Sequence, residues 1–297
     1  MLQNISLTST VPQTAALDIE EKLVRLRSIL RPMGRAIVAL SGGVDSALLW
    51  RVACDELGDG ALAVTAVSPS LASWERDNVR ELVAEIGGKH RFIETKEVDD
   101  PNYAANPANR CYFCKSTLWE ALRELADREG YPYLLDGYNL DDVGDFRPGQ
   151  QAGREHGVRS PLKEAGFRKA DVRAAARALG LSVWDKPAMA CLASRFAYGI
   201  GIDAEKLNRV DRAEAWLRAR GFRQLRVRVQ DEKLARIEVP ASEIPSLLPL
   251  REELVAYYKS LGFTYVTLDL EGFRSGSMNE ALSGRLAVLS SPGGEEG

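Results

Sequence analysis

The sequence SGGVDS at residues 41–46 has the residue types that a phosphate-binding loop needs, and it lies between an apolar run and a helix-like run. Gly42 and Gly43 permit a tight turn that brings backbone N–H groups to an anion, and the helix start adds a favourable dipole. A carboxylate such as Asp45 beside a phosphate indicates that Mg²⁺ accompanies a nucleotide. The alternative is a plain glycine turn. The predicted nucleotide-binding residues are Ser41, Gly42, Gly43, Val44 and Ser46, with Asp45 as a catalytic residue.

Cysteine is the second residue type that could do chemistry, because its thiolate is both a nucleophile and a metal ligand. Cys111 and Cys114 form a Cys-x-x-Cys pair, and Cys191 lies in the segment ACLASR. Cys54 falls among apolar residues at helical spacing, which predicts a core position. Four cysteines in 297 residues do not suggest a disulfide framework. A Cys-x-x-Cys pair is more typical of metal binding or redox chemistry.

An alternation of apolar strands and amphipathic helices must position these residues. The run AIVAL reads as a buried strand that leads through the glycine loop directly into a helix. Continuous apolar strands between helices predict an α/β fold with a parallel sheet covered on both faces. The predicted strands are residues 36–40, 61–68, 89–95, 133–136 and 181–184. The other predicted helices are one that Asp18 caps, one that Ser73 caps, and two at 115–128 and 169–179.

From about residue 196 the pattern changes to a smaller α+β unit that contains a hairpin. Its predicted elements are a helix at 203–220, strands at 225–229 and 234–239, a helix at 242–261 and a strand at 264–270. We therefore predict a flexible start at 1–18, a Rossmann-like pyrophosphate-loop domain at 19–196, a C-terminal α+β substrate-binding domain at 197–285 and a disordered tail at 286–297.

An acidic loop, DGYNLDDVGDFRPG, follows the predicted strand at 133–136. It therefore lies at the carboxyl edge of the sheet, where α/β proteins bind ligands. Its carboxylates could hold Mg²⁺, and an arginine could meet a phosphate. An acidic surface loop is the alternative. The predicted ligands in this loop are Asp136, Asp142 and Arg147.

The loop SGGVDS resembles the signature of the pyrophosphate-loop ATP pyrophosphatases, which include GMP synthetase, NAD synthetase and tRNA thiolases. The resemblance implies a Rossmann-like sheet and cleavage of ATP to AMP and pyrophosphate through adenylation of an acceptor oxygen. A Walker loop would end in Gly-Lys-Ser/Thr. That ending is missing here, so hydrolysis at the γ-phosphate is not expected.

Two further segments, RSPLKEAGFRK (159–169) and WDKPAMACLASR (184–195), extend the resemblance to the LarE family of ATP-dependent sulfur insertases. The family's substrate is pyridinium-3,5-biscarboxylic acid mononucleotide, whose carboxylates are adenylated and converted to thiocarboxylates. The product leads to the nickel-pincer nucleotide cofactor of lactate racemase. The resemblance implies that Cys191 carries the sulfur and that Arg195 contacts the AMP phosphate or the acyl adenylate.

The Cys-x-x-Cys pair suggests a second mechanism of sulfur delivery, besides the one that uses a single sulfur-bearing cysteine. Three thiolates, from Cys111, Cys114 and Cys191, can hold three irons of a [4Fe–4S] cluster and leave the fourth iron open for an extra sulfide. A subset of LarE proteins has this pattern, so the resemblance implies a cluster-dependent enzyme supplied with sulfide or a sulfur donor. Three alternatives remain: a zinc site, a redox pair, or ordinary thiols beside a sacrificial Cys191 that ends as dehydroalanine.

In the segment LRVRV the two arginines, Arg226 and Arg228, alternate with apolar residues, so they share one face of a strand. A solvated strand face is the alternative to a binding site. The family resemblance implies that Glu214, Arg226 and Arg228 bind the phosphate of the substrate.

The net charge of −3 gives no support to a nucleic-acid partner. No run approaches the ~20 apolar residues of a membrane helix, and the start does not read as a secretion signal, so we expect a cytoplasmic enzyme. We also expect a homo-oligomer. The rival functions are a tRNA thiolase, which would need an RNA-binding surface, and a non-enzymatic iron–sulfur carrier, which would leave the ATP loop unexplained.

Overall fold

The computed structural model describes residues 13–142, 148–187 and 190–274. Arg147 and the predicted tail at 286–297 lie outside these ranges. No helix in the described ranges is long and apolar enough to cross a membrane. The helices are α1 (Gln13–Leu30), α2 (Val44–Leu57), α3 (Ser73–Ile86), α4 (Pro101–Ala104), α5 (Arg110–Glu129), α6 (Pro148–Glu155), α7 (Pro161–Glu164), α8 (Lys169–Ala178), α9 (Ala204–Arg218), α10 (Ile244–Leu247) and α11 (Arg251–Ser260).

The chain forms two compact units, and the first contains the described residues of 1–67, 77–95 and 114–189. Four parallel strands form its sheet in the order β3-β2-β1-β4. Strand order and direction confirm the predicted α/β fold, and β1 leads through the glycine loop into α2. The strands are β1 (Ala36–Ala39), β2 (Ala61–Val67), β3 (Lys89–Glu94) and β4 (Tyr133–Leu135).

The core of this unit follows from the apolar strands and from the buried face of α2. Ile37 and Val38 in β1 and Trp50 in α2 are fully buried. Burial of each such side chain contributes roughly 1.5–3 kcal/mol, which explains why the strand has no polar face. The core therefore fixes the end of β1 and the start of α2, the two elements that hold the glycine loop.

Three predicted elements of the first unit differ from the structure. The strand predicted at 181–184 is a turn, because Trp184 N–H donates to Leu181 O at 3.2 Å while the apolar side chains still pack into the core. Asp18 is inside α1, not its N-cap, and pairs with Lys22 at 2.8 Å. Helix α5 begins at Arg110, so the Cys-x-x-Cys pair lies within its first turns and not before it.

The second unit contains the described residues of 68–76, 96–113 and 190–274. Its sheet has the order β5-β6-β7, with β5 and β6 antiparallel and β6 and β7 parallel. The helix predicted at 242–261 is broken into short segments, because Pro245 and Pro249 lack the N–H that a continuous helix needs. The strands are β5 (Arg226–Asp231), β6 (Leu234–Glu238) and β7 (Tyr265–Leu268). The division predicted between residues 196 and 197 stays a prediction.

Candidate functional site

The glycine loop is shaped for close approach between backbone segments. Gly42 has a φ of +74°, and a Cβ there would lie 2.8 Å from a methyl group of Val79. Gly137, which follows β4, would place a Cβ 2.8 Å from the Ser46 nitrogen. Side chains at either position would therefore push the loop out of shape. With glycine at both positions no side chain crowds the start of α2, which suits a helix N-terminus that binds an anion.

The two serine hydroxyls of the loop hold the loop itself. Ser46 Oγ donates to Gly43 O at 3.1 Å and accepts from Ser41 N–H at 3.2 Å. The hydroxyls of Ser41 and Ser46 lie 3.1 Å apart. In this arrangement the hydroxyls fix the turn, and the N–H groups of Ser41 and Gly43 donate within the loop. The predicted role of the hydroxyls as direct phosphate donors stays a prediction.

Two lysines that the sequence predictions missed bring positive charge to the loop. Lys169 Nζ forms an ion pair with Asp45, which also accepts from Asn139 Nδ2 at 3.1 Å. Lys186 Nζ donates to Gly42 O at 2.9 Å. Lys169 lies in the segment 159–169 and Lys186 in the segment 184–195, the two segments that carry the LarE resemblance. Their position in these segments is the sequence signal that could have identified them. A polyphosphate at the loop would meet these ammonium groups, which are suited to anions as compact charges.

The acidic loop after β4 is ordered by its own carboxylates. Asp136 is 8% exposed and accepts from Tyr138 N–H at 3.2 Å. Burial raises the pKa of Asp136 to about 6, although hydrogen bonds from Ser160 and Tyr138 oppose this rise. Asp142 accepts from Asn139 N–H at 3.0 Å, so its carboxylate closes a turn. Asp136 and Asp142 thus help to order the loop, their predicted role as ligands stays a prediction, and Arg147 is outside the described residues.

The fit of a protein-bound metal can be tested on these side chains. Among the described residues, no three His, Cys, Asp or Glu side chains form a group that could hold a metal ion. Asp45 already receives Lys169 and Asn139. Binding of Mg²⁺ together with a nucleotide at this loop stays a prediction.

The predicted iron–sulfur cluster would be held by Cys111, Cys114 and Cys191. Cys111 and Cys191 are exposed and Cys114 is half-buried. Cys111 and Cys114 are three residues apart in α5, so their side chains share one face of the helix. Cys114 belongs to the first unit, whereas Cys111 and Cys191 belong to the second. The cluster stays a prediction from the sequence.

In the second unit, the peptide group after Cys191 is hydrogen-bonded on both sides. Its carbonyl accepts from Ser194 N–H at 2.9 Å, from Ser194 Oγ at 2.7 Å and from Arg195 Nη1 at 3.0 Å. Its N–H, that of Leu192, donates to Ser70 O at 2.9 Å. This bonding fixes the backbone at Cys191 while the thiol stays exposed. A fixed backbone beneath an accessible thiol suits a nucleophile.

Arg195 is held by a buried carboxylate. Its Nε and Nη2 each donate at 2.9 Å to one oxygen of Glu214, and the two residues are 1% and 0% exposed. Glu214 also accepts from Val227 N–H at 3.0 Å. Burial by itself raises the pKa of Glu214, but the charge and hydrogen bonds of Arg195 bring it below its usual value. The contacts favour a positioning role for Arg195 at Cys191, and contact with the adenylate stays a prediction.

Strand β5 presents two buried arginines, as its alternation predicts. Arg228 Nε donates to Glu238 at 3.0 Å, and Nη1 donates to Ser194 O at 3.2 Å. Arg226 is 7% exposed, and its guanidinium donates to Leu225 O at 2.7 Å. Among the described residues, no carboxylate oxygen lies within 4.0 Å of Arg226. A buried guanidinium without a carboxylate partner is a candidate anion site.

The sequence predictions also missed a buried carboxylate near the Cys191 segment. Glu97 is 3% exposed and accepts hydrogen bonds from the hydroxyls of Ser68 and Ser70 on one oxygen. Ser70 O is the acceptor for Leu192 N–H. No signal in the sequence marked Glu97, because its role depends on segments far apart in the chain.

Comparisons with known proteins show which proteins this chain is similar to. The chain is 49% identical over 267 residues to an uncharacterized protein of Synechocystis sp., with 89% of this chain and 99% of that protein covered. It is 26% identical over 179 residues to a component of the glutamine-hydrolyzing GMP synthase of Archaeoglobus fulgidus, with 55% of this chain and 56% of that protein covered, in keeping with a pyrophosphate-loop fold. No family model matches the chain.

A third relative has a more informative name. The pyridinium-3,5-bisthiocarboxylic acid mononucleotide synthase of Lactiplantibacillus plantarum is 39% identical over 263 residues, which cover 88% of this chain and 95% of that protein. The matched region extends over nearly the whole of both proteins, so it is not confined to the glycine loop. This chain therefore belongs to the LarE family of pyridinium-3,5-bisthiocarboxylic acid mononucleotide synthases.

Proposed function

We propose that this protein uses ATP to convert the carboxylates of pyridinium-3,5-biscarboxylic acid mononucleotide to thiocarboxylates. Family membership supports the reaction class. The observation that carries the proposal is in the second unit, where the exposed thiol of Cys191 and the buried Arg228 of β5 are linked through Ser194 and Arg195. A reactive sulfur and an anion site joined in this way suit a substrate that carries both carboxylates and a phosphate.

The first step is adenylation of a carboxylate. A carboxylate oxygen of the substrate attacks the α-phosphorus of ATP, the bond to the bridging oxygen breaks, and pyrophosphate leaves. We assign binding of the polyphosphate, as Mg-ATP, to the glycine loop with Lys169 and Lys186, whose ammonium groups contact Asp45 and Gly42 of that loop. The acyl adenylate activates the carbonyl carbon, because AMP is a far better leaving group than oxide.

The second step moves sulfur, and Cys191 is the residue to which we assign it. Its thiolate attacks the acyl carbon, AMP leaves, and a thioester forms. Loss of the Cα proton to a base and cleavage of the Cβ–Sγ bond then release the thiocarboxylate and leave dehydroalanine. The sequence also predicts a [4Fe–4S] cluster held by Cys111, Cys114 and Cys191, and this cluster is the alternative source of the sulfur.

The proposal is tested by following products and protein mass together. Wild-type protein with ATP and the biscarboxylate mononucleotide should release AMP and pyrophosphate, and release of ADP and phosphate would contradict the proposal. Transfer from Cys191 should remove H₂S and lower the intact mass by about 34 Da. An unchanged mass after several turnovers with added sulfide, together with about four irons per chain, would replace Cys191 donation by the predicted [4Fe–4S] mechanism. Cys54→Ser is the control thiol variant and should behave as wild type.

A tRNA thiolase and an iron–sulfur carrier are the rival functions that experiment must separate from this proposal. A gel-shift assay with tRNA should show no specific complex. Pyrophosphate release that depends on the mononucleotide would exclude a carrier without catalysis. The homo-oligomer and the cytoplasmic location stay predictions, and size-exclusion chromatography with light scattering measures the former.

A further inference from the structure

Arg218 shares a helix face with the buried carboxylate that holds Arg195. It lies four residues after Glu214 at the end of α9, and positions four residues apart are neighbours on a helix. Asp211, on the same face, accepts from Ser73 N–H at 3.1 Å. This face of α9 therefore packs against both the Ser73 segment and β5, whose Val227 N–H donates to Glu214.

The guanidinium of Arg218 is held flat, and among the described residues no carboxylate lies within ion-pair distance of it. Its carbon lies 3.8 Å from the centre of the Trp74 ring, and Nη1 donates to Arg223 O at 3.0 Å. Its Nε and Nη2 are buried and have no hydrogen-bond partner. Buried donors without acceptors are costly, so they indicate an acceptor that a ligand supplies.

Arg218 and Arg226 both lack a carboxylate within 4.0 Å among the described residues, and they belong to one charge cluster. Burial lowers the pKa of Arg226 to about 10, and the charges of Arg195, Arg228 and Arg218 add to this effect. Three carboxylates of the cluster have other partners. Glu214 holds Arg195, Glu238 holds Arg228 and Arg236, and Asp211 holds Ser73, while Glu75 is a further negative charge close to Arg218.

We propose that Arg218 is a specificity-determining residue that, together with Arg226, binds a terminal phosphate monoester in its dianionic form. A phosphate monoester has a second pKa near ~6, so it carries nearly two charges at neutral pH, whereas a diester carries one. Two guanidinium groups without carboxylate partners match the monoester. The plane of Trp74 holds Arg218 in place before the ligand arrives, which lowers the entropy lost on binding.

This inference rests on the proposed function, because it assigns the phosphate of the mononucleotide substrate to this cluster. It adds a residue that the sequence did not mark and a preference for one charge state. The same chemistry could come from AMP, which is also a phosphate monoester. The experiment therefore compares a pyridinium mononucleotide with AMP.

The test is calorimetric titration of the full-length protein with nicotinic acid mononucleotide and with its phosphate methyl ester at pH 7.5. Wild type should bind the monoester at least tenfold more tightly than the methyl ester. Arg218→Met should lose about tenfold in monoester affinity, the loss expected for one charge-assisted contact, and should lose most of the preference. Arg218→Gln gives the same test if the methionine variant does not fold.

Arg220→Met is the matched control, because Arg220 also lies over a tryptophan, Trp216 at 3.4 Å, but pairs with Glu253 at 3.1 Å. It should keep the wild-type preference. An Arg218 variant that keeps the preference overturns the inference, and so does an equal loss of AMP affinity in that variant. If wild type releases no pyrophosphate with the biscarboxylate substrate, the proposed function has failed instead, whatever the Arg218 variants bind.

Discussion

Replacing Glu214 with glutamine should destabilise the second unit more than any exposed charge change in it. Glutamine keeps the shape and can still accept from Val227 N–H, but it removes the charge that faces the Arg195 guanidinium. Both side chains of the pair are at most 1% exposed, so Arg195 would remain buried without a countercharge. Breaking such a pair from one side costs about 3–5 kcal/mol. In a protein of this size that loss lowers the Tm by roughly 6–15 °C.

The control for this change is Glu253→Gln. Glu253 pairs with Arg220 at 3.1 Å, but the two side chains are 69% and 32% exposed. Loss of an exposed pair changes stability by at most about 1 kcal/mol. Thermal unfolding of the two variants at pH 7.5, followed by circular dichroism, gives the comparison. Equal, small shifts for both variants would refute the argument that burial makes the Arg195–Glu214 pair important.

The pH dependence of the pair has a definite sign. The folded pKa of Glu214 is below its usual value of 4.5, so the pair stabilises the protein above that pH. The stabilisation is lost as the pH falls through the folded pKa. The difference between wild type and Glu214→Gln should therefore hold from pH 6 to pH 8 and shrink in acid. A double variant, Arg195→Met with Glu214→Leu, should recover much of the stability, because a packed apolar pair replaces the ions. It should not recover sulfur transfer, since the Cys191 carbonyl loses its Arg195 contact.

Three further predictions concern the other candidate residues. Asp45→Asn removes the charge partner of Lys169 and should lower substrate-dependent pyrophosphate release at least ~100-fold, the scale of a lost electrostatic contact at a reacting phosphate, with little change in Tm. Asp136→Asn should raise stability at pH 7.5 by up to about 3 kcal/mol, because the folded pKa of about 6 makes ionisation unfavourable above it, and no gain at pH 7.5 would argue against that pKa. Burial raises the pKa of Cys54 to about 11, so iodoacetamide at pH 7.5 should label Cys111 and Cys191 and spare Cys54, as peptide mapping would show.

Local sequence determined the elements and the loop chemistry. The apolar runs at β1 and β2 have no polar face, so a sheet covered on both sides was the available solution, and the glycines of SGGVDS fixed the turn between strand and helix. Alternation in β5 predicted that Arg226 and Arg228 share a face. These are short-range properties, set by periodicity and by backbone freedom. Some predictions from local sequence were wrong for local reasons. At residues 181–184, apolar composition alone did not distinguish a strand from a buried turn.

Tertiary structure decided which charges meet. Lys169 reaches Asp45 across 124 residues of chain, Leu192 bonds to Ser70, and Trp74 lies under Arg218. No periodicity contains these pairs, because each depends on how strands and helices from distant segments are ordered in space. The sequence named Arg195 and Glu214 as ligand contacts, whereas folding joins them as a buried ion pair beneath Cys191. Burial makes that pairing decisive, since a charge removed from water must find its partner inside the protein.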